Sequence, residues 1–139
     1  MLVSSNLPRL AIKRALQDVL TEDMGLDLNV EQTQQGFTQD VTAWITGMEE
    51  TFTRVNGSKA FSADLVITVQ LYSQFEETAV HDAIRSLILL SPTNQRFIDT
   101  GIHITDINPI DSATNYGDEN TDGGVIGTLS IKFSYLARF

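Results

Sequence analysis

Residues 43–74 read AWITGMEETFTRVNGSKAFSADLVITVQLYSQ, and the last third of that run decides the fold. Leu65, Ile67, Val69 and Leu71 fall on one side of an extended backbone, and Val66, Thr68, Gln70 and Tyr72 fall on the other. Period 2 in β-branched and aromatic residues predicts a long strand with one buried face. Before it, Val41 to Gly47 reads as a second strand. The stretch between them, Met48 to Ala60, carries Asn56-Gly57, a dipeptide suited to positive φ in a tight hairpin turn. The expectation is a prominent hairpin that feeds directly into a helix.

Outward from the hairpin, the apolar spacing sets the other elements. Asn6 is placed to cap a first helix with Pro8 in its opening turn, and Ile12, Leu16, Val19 and Leu20 make one stripe along it. Gly25 is read as its stop, and Leu26-Asp27-Leu28-Asn29-Val30 as a short strand. Glu31 to Asp40, with four glutamines, reads as a loop. After the hairpin, Gln74 to Thr78 leads into a second helix, whose glutamates suit the positive end of its dipole. Its buried stripe is Val80, Ala83, Ile84, Leu87 and Ile88, and Ser91-Pro92 breaks it. Pro92 to Asp99 reads as one short extra helix with Phe97 and Ile98 packed inward. Ile102 and Ile104 indicate a modest strand, Asp111 to Gly124 a polar loop, and Leu129, Ile131, Phe133 and Tyr135 the buried face of a terminal strand. The order α, β, β-hairpin, α, β, β predicts a single α+β domain over residues 1–139. Its single mostly antiparallel (mixed) sheet has a long β-hairpin, and its two helices pack on one face.

Composition narrows the function classes. The chain of 139 residues is sized for one core, and its 42% hydrophobic content argues against wholesale disorder. No run approaches the roughly 18 apolar residues that a membrane crossing needs, and the N-terminus lacks the pattern of a secretory signal. With no cysteine, there is no thiolate nucleophile, disulfide or thiolate metal site. The net charge of −9 opposes binding to nucleic acid phosphates except through a local basic patch. Charge is also uneven: Glu22–Glu50 holds seven acids and no Lys or Arg, Asp99–Asp122 holds six and none, and Arg9, Lys13 and Arg14 cluster on the first helix.

Chemical motifs are scarce. Asp118-Glu119-Asn120-Thr121-Asp122-Gly123 resembles the first half of a calcium loop, but position 12 is Leu129 where a bidentate carboxylate is required. Asp111, Asp118, Glu119 and Asp122 therefore read as a solvated acidic loop. His81 and His103 lack the further ligands or nucleophile of a zinc or hydrolytic site. Glu49 and Glu50, at the hairpin, read as solvated carboxylates. Trp44 reads as a core or interface aromatic. No glycine-rich phosphate loop precedes a helix. No catalytic, cofactor or metal residue is assigned, and the expectation is not an enzyme.

The amphipathic helix at Asn6–Leu20, the strand–hairpin–strand block over 43–74, and the Asp-rich loop Asp118–Gly124 before TLSIKFSYLARF together form a layout. It resembles the tail terminator proteins of long-tailed bacteriophages, with other neck and tail-completion proteins sharing parts of it. The resemblance implies a structural virion protein without cofactor, assembled in the host cytoplasm. It implies a homohexameric ring that caps the tail tube protein, stops polymerisation and joins the head–tail connector, with DNA passing through the lumen without specific binding. Within that picture, Arg9, Lys13, Arg14, Phe52 and Val55 are the candidate subunit interface, and Asp111, Asp118, Glu119 and Asp122 the candidate acidic lumen or loop. The other reading is a small dimeric α/β ligand-binding or regulatory module.

Overall fold

The computed structural model describes residues 8–28, 41–57, 59–73, 77–116 and 124–138. In chain order, α1 (Pro8–Asp18) continues into a wider π turn at Val19–Asp23. Then come β1 (Asp27–Leu28), β2 (Thr42–Arg54), β3 (Ala60–Ser73), α2 (Glu77–Ile88), α3 (Gln95–Ile98), β4 (His103–Tyr116) and β5 (Val125–Arg138). The sheet order is β1-β2-β3-β5-β4, antiparallel except for the short parallel pairing of β1 with β2. The architecture is the α+β sheet that the periodicity calls for. Its long strands, 13 or 14 residues each, span roughly 45 Å at the usual rise per residue.

One face of the sheet is the core. Leu65, Ile67, Val69 and Leu71 of β3, and Leu129, Ile131, Phe133 and Tyr135 of β5, are all buried there. α1 adds Ile12, Ala15 and Leu16, with Val19 and Leu20 following in the π turn, and α2 adds Val80, Ala83, Ile84 and Leu87. α2 sits close to the sheet because β5 carries glycine beneath it. A Cβ on Gly127 would lie 2.7 Å from Ile84 Cδ1 and 2.9 Å from Val80 Cγ1. Gly127→Ala should therefore lift the helix and cost about 1–3 kcal/mol. Gly47→Ala is the control, since nothing lies within 4 Å of its Cβ position. Equal denaturation midpoints for the two variants would show that α2 does not rest on Gly127.

Several expectations need correction. β2 continues to Arg54, so most of the supposed connection Met48–Ala60 is strand. In the turn Gly57 takes positive φ (69°) and Asn56 does not, and the hairpin closes through Val55 N–H donating to Ala60 O at 3.0 Å. A connection this long tolerates ordinary φ at Asn56, which a two-residue type I′ turn would not. Ile88 and Ile98, expected in the core, are 41% and 52% exposed, each just outside its helix's buried stripe. β4 runs on through Asp111 to Tyr116, where a loop was expected to begin at Asp111. Asn6, residues 29–40 and 74–76, and Asp118, Glu119 and Asp122 lie outside the described residues.

Candidate interaction surface

β2 contains a bulge. The register advances from Ile45↔Val69 to Gly47↔Thr68, leaving Thr46 as the extra residue. A bulge reverses which side chains point inward. Beyond it Met48, Glu50, Phe52 and Arg54 pair with Ile67, Leu65, Ala63 and Phe61, so Glu50 rather than Glu49 turns toward the helices.

Glu50 is the result that sequence reading missed. Its side chain is only 4% exposed, while that of its ion-pair partner Arg9 is 43% exposed. Arg9 Nη1 donates to Glu50 Oε1 at 3.3 Å, and the Tyr135 hydroxyl donates to Glu50 Oε2. Ala63 lies between β2 and β5 in the register, opposite Tyr135 and Phe52, and its small side chain leaves room for the phenol to reach across β3. A buried carboxylate is tolerable only when paired and hydrogen-bonded, and here α1, the hairpin and the terminal strand supply both conditions.

Burial, reinforced by the hydrogen bond and charge of Glu50, pushes the Tyr135 phenol well above its ordinary value of 10.0; Arg9 works the other way. Because the folded value is the higher one, this contribution is complete below about pH 10 and is lost as pH rises toward the folded value. The steepest slope is about 1.4 kcal/mol per pH unit. Tyr135→Phe should remove that share of the alkaline loss, measured as denaturation midpoints between pH 9 and 11. Identical slopes in the two proteins would show that Tyr135 titrates normally.

Arg9, Lys13 and Arg14 do not act as one patch. Arg9 is committed to Glu50 within the chain, Lys13 is half-buried, and Arg14 is exposed on a groove shared with Asp18, Arg96 and Asp99. Reversing all three charges would therefore unsettle the core as well as the surface. Phe52 and Val55 are 46% and 39% exposed at the hairpin end. Phe52 meets Phe61 edge-on at 6.1 Å, and the Arg54 guanidinium lies 4.7 Å over the Phe61 ring. Helix-side Met48 and Phe52 remain exposed on either side of Glu50. Asp111 is exposed on β4 opposite Ser130.

The reverse face of the sheet has no helix among the described residues, and small polar groups share it with Val66, Tyr72, Ile126 and Leu136. Thr68 and Ser130 share a hydroxyl contact at 3.1 Å, and Ser134 Oγ donates to Asp64 at 2.8 Å. Trp44 lies on that face, half-buried, with its indole Nε1 enclosed and unpartnered among the described residues. His81 and His103 are exposed, and His81 Nε2 lies 3.6 Å from Glu77 Oε2. Two grooves flank Arg96, about 330 and 520 Å³ in volume. Their size suits a small molecule, but Asp18, Asp23, Asp99 and Arg96 line them, and Ala11 and Ala15 are their apolar members, whereas such sites are mostly apolar. No group of three His, Asp or Glu side chains disposed for a metal ion occurs among the described residues. Among the described residues, no helix is long and apolar enough to cross a membrane. Comparison with protein-family models and with curated proteins finds no match.

Proposed function

We propose that this protein is a structural, non-catalytic virion component that caps the phage tail tube as a ring. In that role it ends tube polymerisation and presents the surface that joins the head connector. The observation that carries the reading is the hairpin, whose outer strand and turn expose the apolar side chains Met48, Phe52 and Val55 close together in sequence. Exposed apolar side chains on a long strand pair are what an assembling subunit needs and what a monomer avoids. The order of elements agrees with the layout that resembles tail terminators. A net charge of −9 suits a channel through which DNA must pass without being held.

Native mass spectrometry of the purified protein, followed by its addition to polymerising tail tube subunits, tests the proposal. A hexameric ring and tubes of limited length are expected. A stable dimer that leaves tube growth unchanged would overturn it in favour of a small ligand-binding module.

A further inference from the structure

The hairpin turn holds two groups that can react with each other. Asn56 is followed by Gly57, the one Asn-Gly step in the chain, and both residues are exposed. Among the described residues, neither the Asn56 side chain nor the Gly57 N–H makes a hydrogen bond; the turn is closed by Val55 N–H and Ala60 O on either side of them. Gly57 has no side chain to crowd its nitrogen, and nothing lies within 4 Å of its Cβ position. The other described asparagines lack this combination. Asn94 Oδ1 is held by Arg96 N–H at 2.9 Å as the cap of α3. Asn108 precedes Pro109, which has no N–H. Asn115 lies within β4, and the next nitrogen belongs to Tyr116, whose hydroxyl is bound to Glu77 at 2.7 Å.

We propose that Asn56-Gly57 is a self-modification site, at which the exposed turn converts its own asparagine to aspartate and isoaspartate. Gly57 N gives its proton to solvent and attacks Asn56 Cγ. The new N–Cγ bond closes a succinimide ring, and the Cγ–Nδ2 bond breaks, releasing ammonia with a proton taken from water. Water then opens the ring at one of two bonds. Cleavage of N–Cγ leaves aspartate on the original backbone. Cleavage between that nitrogen and the Asn56 carbonyl carbon leaves isoaspartate, with the chain rerouted through the side chain. One water is consumed, one ammonia is released, and nothing is oxidised or reduced. Asparagine is among the thermolabile side chains, and this turn leaves both reacting groups uncommitted. Either product adds a negative charge to a chain of net charge −9, and isoaspartate also lengthens the turn between Val55 and Ala60. The reaction needs only the turn and is independent of the ring reading above.

The test holds the folded full chain in mildly alkaline buffer at physiological temperature for days, beside a synthetic peptide of residues 53–61 as the unconstrained reference. Peptide mass mapping should find the mass gain of an amide-to-acid conversion at Asn56. Its rate should lie within about tenfold of the free peptide's and at least about tenfold above that at Asn94 or Asn115, the factor that roughly one hydrogen bond's worth of barrier supplies. Raising the pH should speed the conversion, because the attacking nitrogen must lose its proton. Isoaspartate-specific enzymatic methylation should label the fragment that contains Asn56, and Asn56→Gln, whose longer side chain closes the ring poorly, should abolish that label. Three results would each overturn the proposal: Asn56 intact while the peptide converts, conversion equally fast at Asn94 and Asn115, or a label that persists on that fragment in Asn56→Gln.

Discussion

Arg9→Glu is expected to cost about 3–5 kcal/mol, because it places a second carboxylate against a buried one. Glu50 is 4% exposed and depends on Arg9 for its charge balance and on the Tyr135 hydroxyl for its second hydrogen bond. Reversal removes the balancing charge and adds repulsion where water is largely excluded. The expectation is sharpened by Arg9→Met/Glu50→Gln, which removes both charges together. That pair should recover most of the loss, since the amide oxygen introduced at position 50 still accepts from Tyr135 and no uncompensated charge is left inside. Urea unfolding of the two variants measures the difference. A loss within the roughly 0.5 kcal/mol typical of surface positions for Arg9→Glu would show that α1 is not held to the hairpin through Glu50. The link matters for assembly: Glu50 ties the hairpin to α1 in the middle of the exposed part of β2.

Particular residues show how far the sequence carries. Strict alternation at Leu65–Leu71 and Leu129–Tyr135 located the two central strands and their buried faces, because both run without a bulge along their mutual pairing. Glu50 escaped notice because the bulge at Thr46 shifts the parity of β2, and parity is the only signal that assigns a strand residue to a face. Gly47 was the available cue, since glycine within a strand pattern often marks a bulge. β4 reads short in the sequence for the same reason. Bulges between Ile104 and Asp106 and between Pro109 and Asp111 break its alternation, and its buried pair is Ile104 and Ile107, three apart. Its second half is mostly polar because it is an exposed edge strand, so nothing in its composition distinguishes it from a loop. The division of Arg9 from Lys13 and Arg14 was equally illegible, for Arg9 finds its partner 41 residues away.

Phe133→Ala is the second large effect expected, at about 3–5 kcal/mol. Phe133 is fully buried on β5, and its ring lies 5.4 Å from that of Phe97, which is 1% exposed, at an interplanar angle of 50°. Phe97 is the one buried side chain of α3, a helix of four residues that cannot hold itself together. Its local supports are modest: Asn94 caps it by accepting from Arg96 N–H at 2.9 Å, and the Thr100 hydroxyl donates to Phe97 O at 2.6 Å. Truncating Phe133 therefore opens a cavity and also removes the aromatic seat of α3. Two consequences follow that a simple cavity would not produce. Phe97→Ala and Phe133→Ala should be non-additive by about 0.5–1.5 kcal/mol, the usual worth of a tilted aromatic pair. Hydrogen exchange should also quicken across Asn94–Gly101 before it does so in α1. If the two losses add without coupling and exchange in that segment is unchanged, α3 is anchored by its caps and by the Arg96–Asp23 pair instead of by the Phe97–Phe133 contact.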